Sequence, residues 1–214
     1  MSSPAGAGPS AMARVLLDMA ISLDGRISGP DGADVGLYDW YFDPTPVSRP
    51  VVDELTATTG AILLGRGAYG YGDDAGWEDT PYAVPHVVVT HRPPVPAPTG
   101  PVEFVFVTDG VRAAVERARA AAGDRWVAVG GGADLARQCL AAGLVDEVQL
   151  HVVPVVAGGG LRLFDPPVPD LRLTKLRVVD APNVTHLRYR VDRQQGGGAP
   201  ADARGAAPGT ATPS

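Results

Sequence analysis

Three consecutive glycines, Gly130, Gly131 and Gly132, separate the short apolar run WVAV from ADLARQCLAAG, and this arrangement suits a bound phosphate. Without Cβ atoms the backbone turns tightly after a strand and its N–H groups can approach an anion. A helix that starts there adds unpaired donors and about half a positive charge. A glycine cluster between strand and helix serves equally well as a packing turn, so context must decide. The run is neither G-x-x-x-x-G-K-[ST] nor G-x-G-x-x-G in a first strand-turn-helix unit, which sets aside the P-loop and the usual dinucleotide fingerprint. Two other strand ends look alike: Gly65-Arg66-Gly67-Ala68-Tyr69 and Thr90-His91-Arg92. In an open α/β sheet, ligands gather beyond the carboxyl ends of the strands, and three such ends can embrace one extended nucleotide. The guanidinium groups of Arg66 and Arg92 offer paired donors to phosphate oxygens; the alternative for each is a solvated surface charge.

The elements that must carry these residues follow from hydrophobic pattern. Residues 13–21 (ARVLLDMAI) read as a buried strand ended by Ser22-Leu23-Asp24-Gly25, with glycine where positive φ is expected. Residues 29–50 read as a long loop rich in Gly, Pro and Asp that carries Tyr38, Trp40, Tyr41 and Phe42, either lining a pocket or capping the core. A helix over 51–59 with Gly60 as its stop precedes the buried strand AILLG. Strands follow at 86–90 and 103–108, then a helix over 109–122 capped by Thr108-Asp109. A strand at 126–130, a helix at 133–142 and a strand at 146–153 come next. Alternating strands and helices predict an α/β fold in three layers, a mostly parallel central sheet with flanking helices. After Pro154 the pattern becomes alternating, and 171–180 with 184–192 predict a C-terminal antiparallel hairpin.

With 214 residues, 45% hydrophobic and 20% charged, the chain suits one domain, expected over 13–193. Residues 1–12 and the Gly/Ala/Pro-rich tail 194–214 hold almost nothing to bury and are expected to be disordered. No signal peptide or apolar span of membrane length is visible, so a cytoplasmic protein is expected. The sole cysteine, Cys139, excludes an internal disulfide and reads as a core residue. A net charge of −6 and a single lysine, Lys175, argue against a nucleic-acid surface. No histidine pair has zinc-ligand spacing on one helix, and His151 reads as a satisfied core histidine.

MAISLDGRI at 19–27, LLGRGAY at 63–69 with Trp77 beyond, HVVVTHR at 86–92, VAVGGGADL at 127–135 and GLVDEVQLHVVPVVAGGGLRLF at 143–164 stand in a specific order. In these, across roughly residues 14–190, the chain resembles the dihydrofolate reductase superfamily. The branch is the one that contains the reductase domain of the riboflavin-biosynthesis deaminase-reductase and its stand-alone relatives. The resemblance implies NADPH as cofactor and a homodimer. It implies Ala20, Ile21 and Gly25 beside the nicotinamide. Gly65, Arg66 and Ala68 would meet the adenosine and phosphate side, Thr90 and Arg92 the adenine ribose, and Val129, Gly130, Gly131, Gly132, Ala133 and Leu135 the pyrophosphate.

The chain also departs from these relatives. Dihydrofolate reductases proper place a carboxylate where Arg49 stands, so folate reduction is unsupported. Asp53, one turn on, is the candidate proton source, with Asp39 and Asp43 as further acids. Riboflavin-pathway reductases carry His-x-Leu-Arg where this chain has Asp53-Glu54-Leu55-Thr56, and a D-D-P-x-L motif is reduced to Asp73-Asp74. Asp39, Trp40, Phe42, Arg49 and Gly159 are the expected substrate contacts. The reading is an NADPH-dependent reductase of a small, planar heterocyclic or unsaturated substrate. The alternatives are the riboflavin-pathway 5-amino-6-(5-phosphoribosylamino)uracil reductase and a nucleotide-binding protein without turnover. No nucleic-acid or membrane partner and no metal are expected.

Overall fold

A computed structural model describes residues 12–70, 80–166 and 168–192. The end segments expected to lack order, apart from Met12, together with Asp73, Asp74 and Trp77, lie outside the described residues. The strands are β1 (Val15–Ser22), β2 (Thr59–Gly65), β3 (His86–Val89), β4 (Phe104–Val107), β5 (Trp126–Val129), β6 (Glu147–Val153), β7 (Leu173–Ala181) and β8 (Val184–Val191). They form one sheet in the order β4-β3-β2-β5-β1-β6-β8-β7. The first six strands pair in parallel, while β6, β8 and β7 pair antiparallel. The helices are α1 (Asp39–Phe42), α2 (Arg49–Thr58), α3 (Arg66–Tyr69), α4 (Val111–Ala122) and α5 (Ala133–Ala141).

Burial on both faces explains the near-continuous apolar strands. On one face Val15, Leu17 and Met19 of β1 pack with Ala114, Val115 and Ala118 of α4 and Leu135, Ala136 and Cys139 of α5. On the other, Leu16 and Ala20 pack with Val51, Val52 and Leu55 of α2 and with Trp40. A third cluster, built on Ile62, Leu64, Tyr69 and Val88, covers that same face over β2 and β3. Alternate residues of β1 therefore serve opposite layers, as the pleat requires.

Three local expectations are corrected. Gly60 is no helix stop: α2 ends at Thr58, and Gly60 lies inside β2, where a Cβ would come within 2.5 Å of the Ala122 carbonyl oxygen. The residue is glycine because α4 crosses the strand there. The cap of α4 is Gly110, at φ +88; the Thr108 hydroxyl donates to the Asp109 carboxylate, and no side chain accepts from the first-turn N–H groups of the helix. The loop over 29–50 is not structureless; it contains α1 and a single tight turn at Pro30–Gly32.

Candidate cofactor cleft and active site

Beyond Leu17 the sheet opens. β1 pairs with β5 only from Val15↔Val127 to Leu17↔Val129, yet it stays paired with β6 as far as Ser22↔Val153. After Val129 the chain follows β2 instead: the Gly130 N–H donates to the Leu63 carbonyl at 3.1 Å and the Gly65 N–H to the Gly131 carbonyl at 2.7 Å. One backbone edge of β1 from Asp18 onward thus has no strand beside it. Met19 and the glycine run border the gap and line a cleft of about 1200 Å³.

Three helix starts meet in this cleft. Gly65–Ala68 open α3, Thr108 and Gly110 precede α4, and Gly132–Leu135 open α5. None of the three is closed by a side-chain cap, so first-turn N–H groups remain available to an anion. Gly131 sits at φ +128, a conformation closed to side chains, and a Cβ there would lie 3.4 Å from that of Ala68. Positions at Gly67 and Gly132 face open space. Thr90 is buried, its hydroxyl accepting the Arg92 N–H at 3.1 Å, while the Arg92 side chain is exposed at the rim. Arg66 folds over its own turn, donating to the Gly70 carbonyl with its guanidinium 5.4 Å from the Tyr69 ring centre. Backbone donors, a wall without Cβ atoms and two cationic side chains fit the phosphates of an extended dinucleotide.

Of the expected cofactor residues, Gly65, Arg66, Ala68, Thr90, Arg92, the three glycines, Ala133 and Leu135 line this single cleft. Val129 is fully buried core, and Ala20 and Ile21 are buried, so the cleft wall beside them is Met19 and Ile27 instead. Gly25 stands at φ +76 in the turn after β1 and is outside the lining. Sequence reasoning missed Gln138 and Leu161, which line the cleft; His91 and Tyr38, also in its lining, belong to the strand end and the aromatic loop that the sequence pointed to.

That substrate half is built differently from expectation. Asp53 is exposed on the outer side of α2, and Asp39, Phe42 and Arg49 are exposed as well; none lines the cleft. Trp40 is buried at 2% exposure, its ring centre 4.2 Å from that of His151, so it is a core residue. The i, i+3 partners Tyr38 and Tyr41 take the inward positions. The Tyr38 hydroxyl end lies near the Ala20 backbone, beside the sheet opening. The residue as a whole is 41% exposed, but its hydroxyl end is desolvated and near the Asp18 charge, which raises its pKa to about 12. Gly159 packs on Pro30, in the segment that turns back over the 24–32 loop. That segment is fixed by the Asp24 carboxylate, which accepts the Ser22 hydroxyl and the N–H groups of Ala157 and Gly158. These bonds hold the Asp24 carboxyl far below the ordinary carboxylate range.

A group outside the expected set stands at the opening. Asp18, from the middle of β1, points to the α2 side and keeps 19% side-chain exposure. Its Oδ1 accepts from His151 Nε2 at 2.9 Å and from Gln149 Nε2 at 3.1 Å. Its charge reaches Tyr38, Tyr41 and Tyr82, each of which has its acidity lowered first by burial and then by that carboxylate. An acid inside an otherwise apolar strand was the signal available in the sequence.

Comparison with known proteins agrees with this geometry. A relative, the uncharacterized protein YwjB of Bacillus subtilis (strain 168), is 26% identical over 157 residues, covering 71% of this chain and 82% of the relative. Among solved structures, a putative riboflavin biosynthesis protein from Shewanella sp. PV-4 superposes with TM-score 0.64 at 23% identity, over 85% of this chain and 100% of the other. A diaminohydroxyphosphoribosylaminopyrimidine deaminase/5-amino-6-(5-phosphoribosylamino)uracil reductase from Thermotoga maritima superposes with TM-score 0.61 at 18% identity, over 85% of this chain and 57% of the other. At these identities the structures speak for the fold. The family model described as the RibD C-terminal domain matches residues 13–187, and the chain belongs to that family.

Proposed function

We propose that the protein is an NADPH-dependent reductase whose substrate is a pyrimidine of the riboflavin route, of the 5-amino-6-(5-phosphoribosylamino)uracil kind. The carrying observation is the convergence of three uncapped helix starts and the Gly130–Gly132 wall on one cleft beside the opening between β1 and β5. Bound there, NADPH would supply a hydride. The chain supplies placement: first-turn N–H groups of α5 for the pyrophosphate, Arg66 and Arg92 for the 2′-phosphate side, and Met19 and Ile27 as apolar wall. Family membership favours this substrate over other heterocycles.

A second reading, reduction of a different planar heterocycle, rests on one observation. On α2, Thr56 stands where the resemblance places the phosphate-holding arginine of His-x-Leu-Arg, and its hydroxyl donates to the Val52 and Asp53 carbonyls of its own helix at 3.0 Å. A homodimer belongs to the same proposal, with the exposed Leu173, Leu176 and Val178 of edge strand β7 as an apolar face suited to a second copy.

Incubating the protein with NADPH and 5-amino-6-(5-phosphoribosylamino)uracil, and following loss of the reduced nicotinamide absorbance, tests the reading. Oxidation that requires both compounds is the expected result. Oxidation only with other heterocycles would favour the second reading, and none with any acceptor would leave a nucleotide-binding protein.

A further inference from the structure

The cleft is chemically graded along the sheet. In the order β4-β3-β2-β5-β1, its lining passes from Thr108 and Gly110 after β4, through residues 90–92 and 65–68 after β3 and β2, to the glycine run after β5 and Met19 on β1. Both arginines of the lining stand on the β3 and β2 side. At the β1 end the lining among the described residues is Met19, Ile27, Gly32, Tyr38 and Leu161, none of them charged. Leu161 is 56% exposed and Tyr38 41%, so apolar surface stands open there for a ligand to cover. A dinucleotide whose phosphates lie over the arginines and glycines brings its uncharged ring to this end.

Leu161 and Ile27 take their places through a strap, residues 157–161, that lies over the turn after β1. At its two ends backbone bonds hold it: the Leu23 N–H donates to the Val155 carbonyl at 2.8 Å, the Ile27 N–H to the Leu161 carbonyl at 2.8 Å and the Leu163 N–H to the Gly25 carbonyl at 3.0 Å. Between these points one carboxylate does the holding. Asp24 Oδ1 accepts the Ala157 N–H at 2.9 Å, and Oδ2 accepts the Gly158 N–H at 3.1 Å. The Ser22 hydroxyl donates to Oδ1 at 2.6 Å and fixes the carboxylate. Arg26 ties its far side: Nη1 donates to the Gly160 carbonyl at 2.6 Å, and Nε, closed off from solvent, stands 3.5 Å from Asp24 Oδ2. Glycines complete the fit. A Cβ at Gly159 would lie 2.9 Å from Pro30, and one at Gly160 would run into the Ser28 and Gly29 carbonyl oxygens, so the strap rests directly on the 28–30 backbone.

We propose that Asp24 is a positioning residue of this reductase: it buckles the strap to the turn after β1 and so sets the wall of Ile27 and Leu161 against which the uncharged ring of the cofactor lies. The inference rests on the reductase reading above. Asp24 is itself outside the lining of the cleft, so it acts through the strap. Hydride transfer needs donor and acceptor carbons within about 3.5 Å of each other and aligned, and a misplacement of about 1 Å costs on the order of 100-fold in rate. A wall whose place depends on one carboxylate is therefore a control point for the reaction. Asparagine at position 24 keeps the size and loses the charge. It turns one acceptor oxygen into a donor facing a backbone N–H of the strap, and it removes the counter-charge of Arg26.

The test divides the cofactor in two. Affinities for NADPH and for adenosine 2′,5′-bisphosphate, the fragment without nicotinamide, are measured for the unsubstituted protein and for Asp24→Asn. NADPH affinity is expected to fall about tenfold, the scale of uncovering one leucine-sized contact, while affinity for the fragment stays within about twofold. Retained fragment binding reports a folded cleft, so general destabilisation would not produce this split. Leu161→Ala, which removes part of the wall and leaves the buckle, should give the same split, and combining it with Asp24→Asn should add little, because both act on one contact. With 5-amino-6-(5-phosphoribosylamino)uracil as acceptor, kcat for Asp24→Asn should fall about tenfold or more. Equal losses for NADPH and the fragment, or NADPH affinity within about twofold of the unsubstituted protein, overturn the proposal. Absence of NADPH binding by the unsubstituted protein overturns the reductase reading first and this proposal with it. The split without turnover of the pyrimidine upholds the role of Asp24 and removes only that substrate.

Discussion

His186 shows what burial does to one side chain. Its pKa is lowered from 6.5 to about 4, first by desolvation and then by His151. A histidine that binds its proton less readily folded than unfolded carries stability that is complete above about 6.5 and is lost as pH falls toward 4. At about 1.4 kcal/mol per unit this is on the order of 3 kcal/mol. Denaturant midpoints measured across that window should fall more steeply for the native sequence than for His186→Gln. Cys139 makes an opposite case, a thiol at 0% exposure pushed up to about 12 by burial. A thiol reagent should leave it unmodified in the native protein and label it only in denaturant.

Among the elements, the glycine wall and the ion pairs of α2 carry separable roles. Gly131→Ala places a side chain at φ +128, so the turn must rebuild. NADPH affinity is expected to fall at least tenfold, about 1.4 kcal/mol, and the melting temperature to fall with it, because the strained turn is bonded to β2 through the Gly65 N–H at 2.7 Å. Gly160→Ala acts elsewhere: at φ +84 a Cβ would meet the Ser28 and Gly29 carbonyl oxygens at 2.2 Å, undocking the 157–161 segment and costing about 2 kcal/mol of stability. Glu54 ties α2 to β7 and β8, and Arg188 also reaches Glu147 at 2.7 Å. Since Glu54 is one-third exposed, Glu54→Gln is expected to cost about 1 kcal/mol, and less at high salt.

At the scale of the whole molecule, the sequence carried the strand and helix order because each element buries a face whose period survives in the residue pattern. The phosphate half of the cleft was legible for the same reason: its glycines and arginines sit within a few residues of strand ends. Trp40 and Phe42 misled because an aromatic pair in a loop carries no direction; α1 turns Trp40 into the core and Phe42 outward. Asp18 escaped because its partner His151 lies 133 residues away, and only the folded sheet brings β1 and β6 together. The apolar outer face of β7 bears on assembly, and light scattering should return twice the 22.1 kDa chain mass.

The central claim, a nucleotide cofactor held across the strand ends, is tested most directly by titrating the purified protein with NADPH and NADH while following thermal stability and cofactor fluorescence. Saturation with NADPH at a hundred times its dissociation constant should add about 2.7 kcal/mol of stability. NADH should bind about tenfold or more weakly, and Arg92→Ala should narrow that gap. Absence of binding by either nucleotide would contradict the account, leaving the glycines and arginines of the cleft as scaffold.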